Sequence, residues 1–202
     1  MNYLAVDTSG KNLTIIIKKD QKYYTYHDDE CGVNHSVALM PEIEKLAKSA
    51  NFDFKGADFF ACVVGPGSFT GIRIGVATIK AMCFAFNKPC LLVTSFDALA
   101  YNNPNGKVLS LIDARHNGFY ACGYDGEEIV LSPRYIMREE VEELLGEYSA
   151  FASTDIDGIA TEKVSVLDGF IKAIESKLPA VTFDLESLTP LYVRKSQAEE
   201  GR

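Results

Sequence analysis

The chain has 202 residues, 47% of them hydrophobic and 24% charged, with a formal net charge of -8. That length suffices for one domain or two small ones with a buried core. The acidic balance argues against a protein that grips a polyanion unaided, because phosphate binding rests on Lys and Arg.

The N-terminus enters a strand at once, Tyr3 to Val6, ending at Asp7. With no basic region or cleavage site before it, and no apolar run near the roughly 20 residues of a membrane helix, the chain reads as cytoplasmic and membrane-free. β-Branched and aromatic runs from Leu13 to Lys18 and Tyr23 to His27 complete a three-strand meander. Leu39, Ile43, Leu46, Ala47 and Ala50 then fall on one face of a helix over 36–50, with Pro41 either starting it or kinking its first turn.

A buried-looking strand over 59–64 leads into Gly65-Pro66-Gly67-Ser68-Phe69-Thr70-Gly71-Ile72-Arg73-Ile74-Gly75, which opens a helix over 71–87. Four glycines in this stretch allow close backbone approach to an anion or to another helix. A Walker loop is excluded, since the fifth residue after Gly65 is Thr70 and after Gly67 is Ile72. Apolar residues surround this helix, and small ones recur at Gly71 and Gly75, then Ala77, Ala81 and Ala85. That pattern fits either a helix buried in its own domain or one packed closely on a partner helix. Ser68 and Thr70 read as N-caps or anion contacts, and Arg73 opposes the helix dipole unless a carboxylate or anion answers it. A strand at Cys90 to Val93 closes the half.

A thinner repeat follows. Val108 to Ile112 ends at Asp113, strands lie near 118–124 and 128–131, a helix near 139–145 and a strand near 150–152. An amphipathic helix over 164–177 ends the unit. Pro104-Asn105-Gly106 marks the boundary, giving domains 1–104 and 105–202. The fold class is α/β, with two tandem ribonuclease-H-like domains of mixed sheets and flanking helices, the layout of the actin, Hsp70 and sugar-kinase group. Asp7 and Asp113 either serve a nucleotide or cap the turns after their strands. The five cysteines are scattered without a CxxC pair, which reads as buried reduced thiols.

Asp7-Thr8-Ser9, Asn34-His35-Ser36, the glycine stretch, Asp113-Ala114-Arg115 and Pro190-Leu191-Tyr192-Val193-Arg194 together resemble the TsaB (YeaZ-like) family of bacterial tRNA threonylcarbamoyladenosine biosynthesis, paralogues of the catalytic subunit TsaD. The resemblance implies a non-catalytic subunit that pairs with TsaD, in a system that also uses TsaE, and that touches tRNA only indirectly. It also implies pairing, with TsaD or as a homodimer, through helices 36–50 and 71–87, with His35, Leu39, Ile43, Gly71, Ile72, Gly75, Ile79 and Met82 as interface residues. The tail, Leu191 to Ala198, is implied to return to the first domain.

The residues themselves agree with non-catalysis. The catalytic paralogue holds a metal with two histidines four apart, and here His35 is followed at that spacing by Leu39. Ser9 stands where kinases of this fold need glycine, and Ala114-Arg115-His116-Asn117-Gly118 replaces a glycine-rich phosphate turn. No cofactor of its own is expected. ATP or ADP is expected only at an interface shared with the partner, contacted by Asp7, Ser9, Ser68, Thr70 and Arg73. The competing readings are a glycoprotease-type metallopeptidase, which needs the missing metal site, and a small-molecule kinase, which needs the missing glycine turns.

Overall fold

Tyr3–Asp7 (β1) is buried along its whole length, as is Phe59–Val63 (β4) beside it, so the centre of their sheet is covered on both faces. Leu13–Lys19 (β2) and Lys22–Asp28 (β3) extend this sheet antiparallel. Their two-residue reversal places Asp20 and Gln21 in the left-handed region, the geometry a tight hairpin needs. His35–Ala50 (α1) leads to β4, Phe69–Phe86 (α2) follows it, and Cys90–Val93 (β5) closes the sheet in the order β3-β2-β1-β4-β5. Strands β1, β4 and β5 run parallel.

Pro41 does not start α1; it lies inside the helix on the exposed side, and Asn51 ends it in the left-handed conformation. Helix α2, with 18 residues, is by length and composition alone long and apolar enough to cross a membrane. The expectation that no such run exists is therefore corrected. Its buried stripe of Ile72, Val76, Ile79 and Cys83 belongs to the core of this unit.

The computed structural model describes residues 1–103 and 105–194. Met1–Val93 and Ile174–Pro190 form one compact unit, and Thr94–Ala173 with the described residues 191–194 forms another. The division thus falls at Val93 and not at 104, because an unforeseen helix, Ser95–Ala100 (α3), packs with the second sheet. Ser110 Oγ donates to the Phe96 carbonyl at 2.9 Å, and Tyr124 Oη donates to Asp97 Oδ1 at 3.0 Å. Ile174–Pro190 returns to the first unit, where Thr182 exchanges two backbone bonds with Cys90 at 2.8 and 2.9 Å. The described part of the tail, Leu191 to Arg194, goes with the second unit instead of the first. Pro104 and the tail beyond Arg194 lie outside the described residues.

The second sheet comprises Lys107–Asp113 (β6), Gly118–Asp125 (β7), Glu128–Met137 (β8), Ser149–Ala152 (β9) and Glu162–Lys163 (β10), in the order β10-β9-β6-β7-β8. Read from β8, this repeats the order and strand directions of the first sheet. Arg138–Leu144 (α4) corresponds to α1, and Val166–Ser176 (α5) follows β10. Residues 153–161, with Asp155, Asp157 and Gly158, connect β9 to β10 with no helix between them, and the helix expected over 164–177 stands after β10 as α5. Helix α2 therefore has no counterpart in the second unit, and the duplication is incomplete at the glycine loop.

Candidate functional site

The glycine loop closes onto the turn after β1. Asp7 Oδ1 accepts from the Ser9 amide at 2.7 Å, and the Ser68 amide donates to the Ser9 carbonyl at 2.7 Å. Thr8 Oγ1 donates to the Gly71 carbonyl at 2.7 Å. A Cβ on Gly67 would lie 2.2 Å from the Ser9 oxygen, one on Gly71 2.0 Å from the Thr8 oxygen, and one on Gly75 2.6 Å from Thr8 Oγ1. These glycines thus make room for the chain's own Thr8-Ser9 turn, Gly67 and Gly71 for its backbone and Gly75 for the Thr8 side chain. Neither an anion nor a partner helix is needed to explain them.

Ser68 Oγ caps α2 by accepting from the Gly71 amide at 3.2 Å. Ser68, Thr70 and Arg73 are exposed, while Asp7 and Ser9 are buried. The nucleotide set expected from the sequence is therefore split into an accessible part and an enclosed part. Arg73 lays its guanidinium 3.8 Å from the centre of the Phe69 ring, a cation–π contact that holds a cation in the first turn.

Burial pushes the Asp7 carboxyl above its ordinary range, against the bonds from Ser9 and the nearby His35 and His27. The folded state therefore favours protonated Asp7. That contribution is complete below the unfolded carboxylate value, and it is lost as pH rises through the raised folded one. Asp7→Asn, neutral throughout and still able to accept from Ser9, is expected to raise the urea midpoint at pH 7, with the gain shrinking toward pH 4. Urea titrations at both values check this, and a lowered midpoint at pH 7 would refute it.

His35 is buried and donates from Nε2 to the Asn12 carbonyl at 3.0 Å, and Leu39 beside it is buried and apolar. This donor set does not fit a metal ion, and among the described residues no group of three His, Cys, Asp or Glu side chains does. His27 joins Thr14 Oγ1 at 2.8 Å and Asp29 Oδ1 at 3.0 Å, an order that resembles a hydrolytic triad. Thr14 is completely buried, so no substrate reaches it in this conformation.

The expected interface residues occupy the interior. His35, Leu39, Ile43, Gly71, Ile72, Gly75, Ile79 and Met82 are all buried within the first unit, and of these Met82 also lines the groove described next. The same two helices instead expose Val33 (just before α1), Val37, Met40, Ala77, Ala81 and Phe84, the last 84% accessible. Met40 lines an open apolar groove with Ala77, Ala81 and Ala85 of α2, of about 460 Å³. In the second unit, Asp113 Oδ1 accepts from the Arg115 amide at 2.7 Å, and Arg115, His116 and Asn117 are successive left-handed residues with exposed side chains.

Residues 14–163 match the family model described as "TsaD: tRNA N6-adenosine threonylcarbamoyltransferase". The chain is 26% identical to the tRNA threonylcarbamoyladenosine biosynthesis protein TsaB of Bacillus subtilis and 27% identical to that of Escherichia coli; each alignment covers 98% of this chain and 96% of the relative. Two solved structures share the fold at 21% identity. One is a Pseudomonas aeruginosa protein with similarity to peptidase YeaZ, with TM-score 0.79 over 96% of this chain and 99% of that one. The other is YeaZ from Pseudomonas aeruginosa, with TM-score 0.77 over 95% and 99%. Two ribonuclease-H-like sheets, a glycine loop closed on the first strand, and full-length similarity to TsaB proteins agree: the chain belongs to the tRNA N6-adenosine threonylcarbamoyltransferase family, in its TsaB (YeaZ-like) branch.

Proposed function

We propose that the chain is a non-catalytic subunit for tRNA threonylcarbamoyladenosine synthesis, acting in the cytoplasm by pairing with a TsaD-type partner in a system that includes TsaE. The observation that carries this reading is the exposed apolar face on α1 and α2. Val37, Met40, Ala81 and Phe84 are large or closely spaced apolar groups left in water on two neighbouring helices. An uncovered face of this kind marks a protein contact. Leu39 at the expected metal position and Ser9 at the phosphate-turn position support a supporting role over a catalytic one. Any ATP or ADP is held with the partner, using the accessible groups Ser68, Thr70 and Arg73.

The test is light scattering after size exclusion, on the chain alone and mixed with its TsaD-type partner. The wild type is expected to form a stoichiometric complex, and Phe84→Asp with Val37→Asp to abolish it while leaving the unfolding transition unchanged. A complex that survives both substitutions would overturn the assignment of this face. A homodimer lost through the same pair would show that a second copy uses the face when the partner is absent. Enlarging Gly75 would be no test, since a Cβ there strikes Thr8 inside the unit.

A further inference from the structure

The chain is acidic overall, yet four of its five described arginines, Arg115, Arg134, Arg138 and Arg194, lie toward one end of the second sheet. The β7–β8 register sets Gly118 opposite Met137 and Tyr120 opposite Tyr135, which brings the Arg115–Asn117 turn to the same end as Arg138. Two of these cations rest on aromatic rings. Arg194 lies 4.6 Å from the Tyr135 ring centre and Arg138 lies 5.9 Å from that of Phe119. Tyr135 lies across Gly118, where a Cβ would come 1.9 Å from the phenol oxygen, and Tyr120 packs edge-on to it at 6.1 Å. Arg115, Arg134 and Arg138 form no ion pair with the described residues. Two neighbouring acids are engaged locally, Asp113 with the Arg115 amide and Glu140 with the Met137 amide at 3.1 Å.

We propose that this end of the second unit, through Arg115, Arg138 and Arg194, contacts RNA phosphates directly. Guanidinium groups held on rings lose little freedom when they meet an anion, and their planar forks match phosphate oxygens. Arg138 opens α4, whose Glu139, Glu142 and Glu143 repel the same strand, so contact is confined to the start of that helix and the end of the sheet. The proposal departs from the expectation of purely indirect RNA contact, and it rests on the reading above that RNA is the substrate of the assembly.

The test is fluorescence anisotropy with an unmodified tRNA transcript, at low and moderate salt, on the full chain alone and in its partner complex. The triple variant Arg115→Gln, Arg138→Gln, Arg194→Gln is expected to weaken RNA binding about tenfold, and to reduce the slope of log affinity against log salt by about 0.7–0.9 per arginine. Lys163→Gln, on the opposite edge strand, is expected to change neither. Arg115→Gln alone, on an exposed turn, gives the same test at one-third the effect if the triple variant does not fold. Unchanged affinity and slope overturn the proposal, as does a wild type that binds no RNA. So does a triple variant that loses its protein partner while keeping RNA. Failure of the family reading shows separately, as a wild-type chain that does not pair with its TsaD-type partner.

Discussion

Gly71→Ala is expected to destabilise the first unit by about 2–4 kcal/mol, a fall of several degrees in its unfolding midpoint. Helix propensity alone gives the opposite sign, since Ala is better than Gly inside a helix by about 1 kcal/mol. Sterics decide, because the new Cβ would sit 2.0 Å from the Thr8 carbonyl oxygen. That oxygen cannot swing aside like the end of a long side chain. It belongs to the backbone at the end of β1, where Asp7 accepts from Ser9 and Ser9 accepts from Ser68. Moving α2 away instead would stretch the bond from Thr8 Oγ1 to the Gly71 carbonyl and open the buried stripe of Ile72, Val76 and Ile79. Gly56→Ala, with nothing within 4 Å of the added carbon, is the control and is expected to stay within about 0.5 kcal/mol of wild type. Calorimetry on both variants decides, and equal midpoints for Gly71→Ala and Gly56→Ala would remove the packing role assigned to the loop. A displaced α2 also moves Ala81 and Phe84, so partner binding is expected to weaken alongside stability.

The strands of the first unit were legible because each carries its signal locally. The run of Ile15, Ile16 and Ile17 and the clean end of β1 at Asp7 needed no long-range knowledge. The target of the glycine loop was not legible, because Thr8 and Gly71 are 63 residues apart and nothing near either names the other. The same limit bears on the expected interface residues. Helical periodicity selects the stripe that is buried, and Leu39, Ile43, Ile72 and Ile79 satisfy it whether the neighbour is the chain's own sheet or another protein. The informative residues were the apolar ones off that stripe, Val37, Met40 and Phe84, which a self-contained unit has no reason to place in water. In the second unit, the two-residue strand β10 just ahead of the expected helix over 164–177 is too short to carry a pattern of its own. Helix α3 is short, with six residues, but Thr94 and Asp97 form a capping box that does announce it.

That capping pair leads to the second large effect, Asp97→Ala, expected to destabilise the second unit by about 3 kcal/mol. Asp97 is 1% exposed and accepts on both oxygens, from the Thr94 amide at 2.7 Å and from Tyr124 Oη at 3.0 Å. Burial and the adjacent Asp97 carboxylate push the Tyr124 phenol far above its usual range, so it is a neutral donor at neutral pH. Removing the carboxylate leaves a buried hydroxyl and an N-cap amide without their acceptor, and the loss of both outweighs the relief of removing a buried charge. Asp97→Asn keeps one accepting oxygen and is expected to cost less, about 1 kcal/mol. Tyr124→Phe removes the other half of the contact, and the double variant with Asp97→Ala should cost less than the two singles summed, because they share one bond. Urea unfolding of the four proteins, followed by tyrosine absorbance, measures this coupling. Strict additivity would mean that the bond contributes nothing of its own, leaving the Ser110 contact to Phe96 and apolar packing to hold α3 in the second unit.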